Sequence, residues 1–463
     1  MKPSETSPAE DLRTPDAELV EAVESLVRRG EEDLTLSAVI DMFPADLAQI
    51  VMRLDEDDGR TLFRWLSHEQ AGDVLAELED EFQSDLLEAA PRERLTAVLD
   101  EMDTDDAADV IANLPEALGQ EILPTLKEHE EVGELLQFDE ETAGGIMGAE
   151  YISVPQRVTV AEATEEVRKK AETVEFVHAL FVVDDGKKLV GVVSLKRLLL
   201  SRATARIVDI MKKDVVSVPT GMDQEEVALI MDKYDLVSVP VVDADHQVCG
   251  RITIDDIVDV IREEAEEDIM RMSGVRAGEE PTDSVFRIVA GRLPWLLAGL
   301  FGAGLAACVI GSFHEALQAA TVLAAFIPII MATAGNAGIQ SSAIAVQGLA
   351  TGEIWSTDMM ERLGRELMVA LLNGVVSAIV LGIGILIMAM FIPALERPIQ
   401  LAETAAAALV LVIVLATCIG ATIPLMLERL NIDPAIATGP FITTSNDIMG
   451  ILIFFVLADW IYL

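Results

Sequence analysis

The amino-acid sequence predicts a multidomain membrane protein built from an all-α superhelix, a tandem pair of small α/β modules, a connecting helix and a bundle of five transmembrane helices. Three observations carry that prediction: a sharp division of charge along the chain, five long apolar runs confined to its last part, and two internal repeats of different period. The 463 residues hold 33 Lys plus Arg against 79 Asp plus Glu, a formal net charge of −46, yet the mean hydropathy is +0.38. Residues 282–463 contain only 6 basic and 12 acidic residues, which leaves 27 and 67, a net −40, in the first 281. Acidity and hydrophobicity therefore belong to different parts of one chain.

The first 20 residues contain no apolar run, so residues 1–30 are expected to be a short disordered tail without a secretory signal. A 24-residue repeat follows: LDEDD at 54–58, LEDEF at 78–82 and MDTDD at 102–106, with Pro91 and Pro115 at the same spacing. Each unit holds two short amphipathic pieces, such as Ala45 to Leu54 and Gly59 to Leu66, broken by acidic or Pro turns. Such units cannot bury their apolar faces alone and stack into a solenoid. Residues 31–140 are expected to form this acidic superhelix.

A second repeat spans 144–262. Ile146-Met147 and Ser153-Val154-Pro155 match Ile210-Met211 and Ser217-Val218-Pro219 at an offset of 64. Val182-Val183-Asp184 and Gly191 match Val241-Val242-Asp243 and Gly250 at an offset of 59. Each copy reads strand, helix, apolar strand, turn, strand, helix. This pattern resembles a tandem pair of CBS domains, which implies binding of ATP or another adenine nucleotide. The ribose-holding motif Gly-x-x-Thr-x-x-Asp stands in the second copy as Gly250, Thr253 and Asp256; in the first, Gly191 and Ser194 match but Arg197 replaces the Asp. A purely structural pair is the alternative.

Carboxylates then crowd the segment 257–280, read as a connecting helix whose like charges repel at i+3 and i+4 and call for a cation. Within 286–463, five runs are long enough for the ~30 Å hydrocarbon core: Leu293 to Phe313, within Ala316 to Gly352, between Leu367 and Leu395, Thr404 to Leu427, and Ala435 to Ala458. Arg287, Arg292, Arg362, Arg365 and Arg429 fall on one side and Arg397 on the other, so the N-terminus is expected in the cytoplasm and Leu463 outside. The glycines of the first three runs are read as close helix packing.

Asp447 is the only charge in these runs and sits near the middle of the fifth, an expensive position that marks it as functional. No basic residue in the runs can pair it, so it calls for a cation. Asn336, Gly338 and Gln340 in the second run, with Pro424, Gly439 and Asn446, offer neutral oxygens or freed backbone and are candidate pore-lining residues. A carboxylate with amide and carbonyl oxygens suits hydrated Mg2+, while Ca2+, Mn2+ and Na+ also fit; zinc or copper would call for His and Cys in positions this chain does not offer.

The order of superhelix, CBS pair, acidic helix and five spans, with Gly335-Asn336-x-Gly338-x-Gln340 and Gly439-Pro440-Phe441 then Asn446-Asp447, resembles the MgtE family of magnesium channels. The resemblance implies a homodimer in the inner membrane, with hydrated Mg2+ held by Asp447 on the dimer axis and the connecting helix as a plug faced by Asp433. It also implies closure by cytosolic Mg2+, for which the candidate carboxylates are Asp105 and Asp109, Asp223 and Glu225, and Asp256, Asp259, Glu264, Glu267 and Asp268. Part of the acidity also fits a salt-rich cytoplasm; the clusters at 101–109 and 255–268 are the part whose placement points to sensing.

Several classes are disfavoured. Nucleic acid would be repelled by the acidic half. Cys249, Cys308 and Cys418 make neither a disulfide scaffold nor a metal motif. No nucleophile and base arrangement or phosphate loop suggests an enzyme, and an anion channel would want basic residues in its spans. The rivals kept are a membrane-anchored CBS nucleotide sensor and a broader divalent transporter that also passes Mn2+ and Co2+.

Overall fold

The computed structural model describes residues 15, 17–78, 82–83, 86–87, 90–171, 174, 176–276, 284–352, 359–392, 395–430, 432–437 and 439–463. Most of the expected tail (1–14 and 16), the middle of the LEDEF repeat (79–81) and the end of the connecting segment (277–280) lie outside these residues. The chain divides into two compact units, residues 1–258 and 259–463.

In the first unit the 24-residue period becomes a stack. Helices Pro44–Arg53, His68–Ala76, Arg92–Leu99 and Glu116–Ile122 begin at equivalent positions of successive repeats, and each packs on the next. Ile50, Val74, Val98 and Ile122 occupy one repeat position and are each no more than 2% exposed. The repeated side chain thus forms a continuous apolar seam that no single unit could bury. Part of the expected tail is instead helical: Ala17–Arg29 buries Val23 and Val27, spaced one turn apart, against the first helices of the stack.

The CBS-like repeats form two three-stranded sheets, β1 (Ser153–Pro155), β2 (Ala179–Val183) and β3 (Leu189–Ser194), then β4 (Val218–Pro219), β5 (Ser238–Val242) and β6 (Val248–Thr253). The first two strands of each sheet are parallel and the last pair antiparallel. Register repeats at the sequence offset: Val182 faces Gly191 and Val241 faces Gly250, each followed by an irregularity. The two glycines are needed. A Cβ on Gly191 would strike the Met211 sulfur, 2.6 Å away, and one on Gly250 the Met147 sulfur, 2.8 Å away. Each Ile-Met segment therefore precedes one copy and covers the glycine of the other, and the bridges Gly148 to Arg251 and Val192 to Lys212 repeat the same exchange.

Helix Ile254–Met272 begins directly after β6 and ends at Gly274, whose φ of +71° an L side chain would resist. Among its described residues the second unit has five helices long and apolar enough to cross a membrane: span 1 Val285–Ser312, span 2 Thr321–Ala350, span 3 Met360–Phe391, span 4 Pro398–Glu428 and span 5 Phe441–Tyr462. Spans 2, 4 and 5 meet in a core that includes Ile330, Ala334, Ala408, Val412, Ala416 and Phe454.

Three boundaries differ from the sequence reading. Span 1 starts before Leu293 and includes Arg287 and Arg292. The third helix starts at Met359, so Arg362, Arg365 and Glu366 lie on its first turns; at 33 residues it is about 50 Å long, more than the hydrocarbon core requires. Span 5 begins after Gly439-Pro440, which ends the short turn Pro434–Ala437 and opens the helix with a residue that needs no N–H partner. Asp447 is consequently the seventh of 22 residues, about a third of the way along span 5 and not at its middle.

Candidate functional site

Asp103, Asp105 and Asp106 from the superhelix, Gly148 and Glu150 from the lead into the first CBS-like copy, and Arg251, Thr253, Asp255 and Asp256 from the second line one cavity of about 80 Å³. Glu150 is fixed there by the helix Thr104–Asn113: its carboxylate accepts the Thr104 amide at 2.9 Å and the Thr104 hydroxyl at 3.1 Å, while the Ala149 amide donates to that hydroxyl at 2.9 Å. An anion at a helix N-terminus is favoured by the orphan N–H groups. Asp256 is fixed by Thr253 in turn.

The electrostatics of this cavity are unusual for a surface. Burial pushes the Asp105 carboxyl well above the ordinary range, and Asp106, Asp256, Glu150 and Asp103 push it further. Asp106 rises to about 7, from burial first and then from Asp103 and Asp109. Glu150 and Asp256 are raised by burial against the opposing effect of their hydrogen bonds from Thr104 and Thr253. Crowded, half-desolvated carboxylates of this kind either hold protons or take up a cation. Asp105, Asp256 and Thr253 are residues the sequence singles out, and Asp103, Asp106 and Asp255 lie within its two acidic clusters without being named; Glu150 lies outside both. Glu150 stands 46 residues from Thr104, and only the fold joins them.

The remaining regulatory candidates are distributed. Asp109 follows Asp106 on the same helix. Asp223 caps helix Gln224–Lys233 through the Glu225 amide at 2.9 Å and bridges to Thr142, outside the cavity lining. Asp259 pairs with Arg262 at 3.2 Å. Glu264, Glu267 and Asp268 continue along the helix, where Arg271 pairs with both Glu267 and Asp433. Glu24, Asp55 and Asp58 also converge, but on Arg28, which lies 2.5 to 2.7 Å from all three.

In the membrane unit Asp447 is half-buried on span 5, and its neighbour Asn446 is 2% exposed, with its amide directed at the Ala334 carbonyl of span 2 at 3.4 Å. The Asn446 Oδ1 is buried with no hydrogen-bond partner among the described residues. Gly338 permits this insertion: a Cβ there would collide with the Asn446 amide. On the other side Gly338 meets Gly420 of span 4, and Pro424, buried one turn further on, has no N–H for the Gly420 carbonyl. Asn336 and Gln340 share the exposed face of span 2 with Gln347. Lipid cannot satisfy three amides, so water or protein must cover that face. Gly439 opens span 5 beside the end of the helix Ile254–Met272.

Three family descriptions match the chain: "Divalent cation transporter" (MgtE) over 327–457, "MgtE intracellular N domain" over 42–141 and "CBS domain" over 143–203 and 207–263. The chain is 32% identical to the magnesium transporter MgtE of Bacillus subtilis over 445 residues, 95% of this chain and 97% of the relative. It is 37% identical to the magnesium transporter MgtE of Enterococcus faecalis over 329 residues, 71% of each. Among solved structures it is similar to the cytosolic domain of the Mg2+ channel MgtE in complex with ATP, at 31% identity and a TM-score of 0.50, covering 52% of this chain and 99% of that one. Superhelix, CBS pair and multi-pass transport domain are thus matched in order, and the chain belongs to the MgtE family of divalent cation transporters.

Proposed function

We propose that this protein conducts hydrated Mg2+ through a path between two copies of the membrane unit and is closed by Mg2+ bound to its acidic cytoplasmic half. The observation that carries the reading is the cavity of Asp103, Asp105, Asp106, Glu150, Asp255 and Asp256: six carboxylates from three segments converge, with Arg251 and His178 as the basic side chains among the described lining residues. Mg2+ prefers such hard oxygen ligands and keeps several waters, for which about 80 Å³ leaves room. Binding there would tie superhelix to CBS pair, so the ion favours the compact state and by linkage the closed one.

Asp447 is the proposed ion-holding carboxylate of the path, and the amide face of Asn336 and Gln340 lies toward the second copy. The cytoplasmic N-terminus and external C-terminus follow from the Arg distribution. Replacing Asp447 by Ala is expected to abolish Mg2+ uptake in Mg2+-starved cells; retained uptake would reduce the spans to an anchor for a nucleotide sensor. Competition by Mn2+ or Co2+ at equal concentrations would widen the substrate to divalent cations generally.

A second reading concerns nucleotide. The solved relative carries ATP, and residues 143–203 here, the first copy, hold 9 Lys plus Arg against 8 Asp plus Glu, unlike the acidic remainder. A polyphosphate is better matched to that first copy than to Thr253 and Asp256, whose surroundings are anionic. Calorimetric titration of ATP into the purified protein, with and without Mg2+, tests whether the pair is occupied or structural.

A further inference from the structure

We propose that Arg271 is a built-in latch, tying the end of the connecting helix to the loop ahead of span 5 through Asp433. Helix Ile254–Met272 is rich in carboxylates, and Arg271 stands in its last turn, where a cation also complements the negative helix end. Its guanidinium pairs with Glu267 one turn back and with Asp433, 162 residues further along the chain. Asp433 is held for this contact, because its second oxygen accepts the Ala435 amide at 2.7 Å. The two side chains are 33% and 23% exposed, so water screens the pair only in part.

The backbone completes the junction. Gly439 lies so near the helix end that a Cβ there would be 3.5 Å from the Met272 carbonyl and 3.9 Å from the Gly274 nitrogen. The helix turns off at this point: the Val275 amide returns to the Met270 carbonyl at 2.9 Å and the Ser273 amide to that of Ile269 at 3.1 Å. Asp268 beside it is pushed up to about 6, by burial first and then by Asp433 and Glu264, with Arg271 pulling the other way. The helix carboxylates Glu264, Glu267 and Asp268 meet Asp433 here, an arrangement that favours a cation between them. Arg271 supplies one covalently, so the helix end stays docked without a divalent ion at this place.

The proposal rests on the reading that this helix occludes the ion path. Its test is Mg2+ flux through the full-length protein in liposomes, titrated with Mg2+ on the side of the cytoplasmic domains. Arg271→Gln is expected to raise the half-closing Mg2+ concentration roughly three- to tenfold, and the exchanged pair Arg271→Asp with Asp433→Arg to return it toward the parent. The sign decides: a fall in that concentration would show that the guanidinium competes with a closing divalent ion, and would overturn the latch. Hydrogen exchange of residues 254–272, measured without divalents, separates the two layers. Unchanged exchange in Arg271→Gln defeats the latch itself. Faster exchange with unmoved flux defeats the gating reading, and with it any regulatory role for Arg271.

Discussion

Asp256 Oδ2 accepts both the amide and the hydroxyl of Thr253, at 2.8 and 2.7 Å, so the connecting helix opens with a carboxylate turned back on the last residue of β6. This is the returning half of a capping box, and it holds Asp256 against Asp105 and Asp106 in the acidic cavity. Asparagine at 256 keeps an oxygen for the cap and removes one charge. Asp256→Asn is expected to fold normally and to need about ten times more Mg2+ for the same hydrogen-exchange protection around residues 103–109. Coincident Mg2+ titrations of variant and parent would exclude Asp256 as a ligand.

The same cavity predicts a pH dependence with a definite sign. Asp106 rises to about 7, and Asp105, Glu150 and Asp256 are all raised. Raised carboxylates mean that the folded arrangement binds more protons than the separated one between roughly pH 4 and 7. Without divalents, the junction of superhelix and CBS pair should therefore be most stable in acid and lose stability as pH rises through 7. Saturating Mg2+ should flatten or invert that slope, because deprotonated carboxylates bind it best. Exchange at residues 103–109 and 148–150 between pH 6 and 8, with and without Mg2+, reads both limbs. A slope that Mg2+ leaves untouched would remove the cation from this site.

Periodicity made the architecture readable because it reports burial directly. The offset of 24 put Ile50, Val74, Val98 and Ile122 on one seam, and the offset of 59 set both ladder registers. Partners distant in sequence were not readable: nothing local joins Thr104 to Glu150, or Arg271 to Asp433. Helix ends were misread where charge and helix continue together, as at Arg362 and Glu366, since a hydropathy window stops at the first charge and a helix does not. The glycines divided as composition could not show. Gly302, Gly338, Gly374 and Gly420 pack against neighbouring helices, whereas a Cβ at Gly299, Gly304, Gly382 or Gly384 would meet none of the described residues within 4 Å.

That division is itself predictive. A Cβ at Gly420 would overlap the Gly338 carbonyl, and backbone cannot rotate away as a side chain can. Gly420→Ala should force spans 2 and 4 apart and destabilise the detergent-solubilised protein by about 1–3 kcal/mol. Gly382→Ala meets nothing within 4 Å, so it should be neutral or slightly stabilising through the helix propensity of alanine. Thermal unfolding of both variants, followed by intrinsic fluorescence, ranks them. Equal effects would mean that the contact of spans 2 and 4 does not limit stability.

Glu366 joins two helices by a route the sequence reading left in a loop. It accepts the Ser341 hydroxyl of span 2 at 3.0 Å and faces Arg362 of its own helix at 3.9 Å, with both charged side chains about 15% exposed. The Arg362 Nε and one terminal nitrogen are buried with no hydrogen-bond partner among the described residues, and Glu366 is the counter-charge that faces this guanidinium. Glu366→Gln preserves the Ser341 contact and strands the cation, an arrangement that costs about 3 kcal/mol or more when the site stays dry. Removing both charges, with Arg362→Met and Glu366→Gln together, should recover most of that loss, because no buried ion is left unpaired. A double-mutant cycle on thermal stability measures the coupling. A coupling near zero would show that water reaches Arg362 and that the first turns of the third helix are solvated.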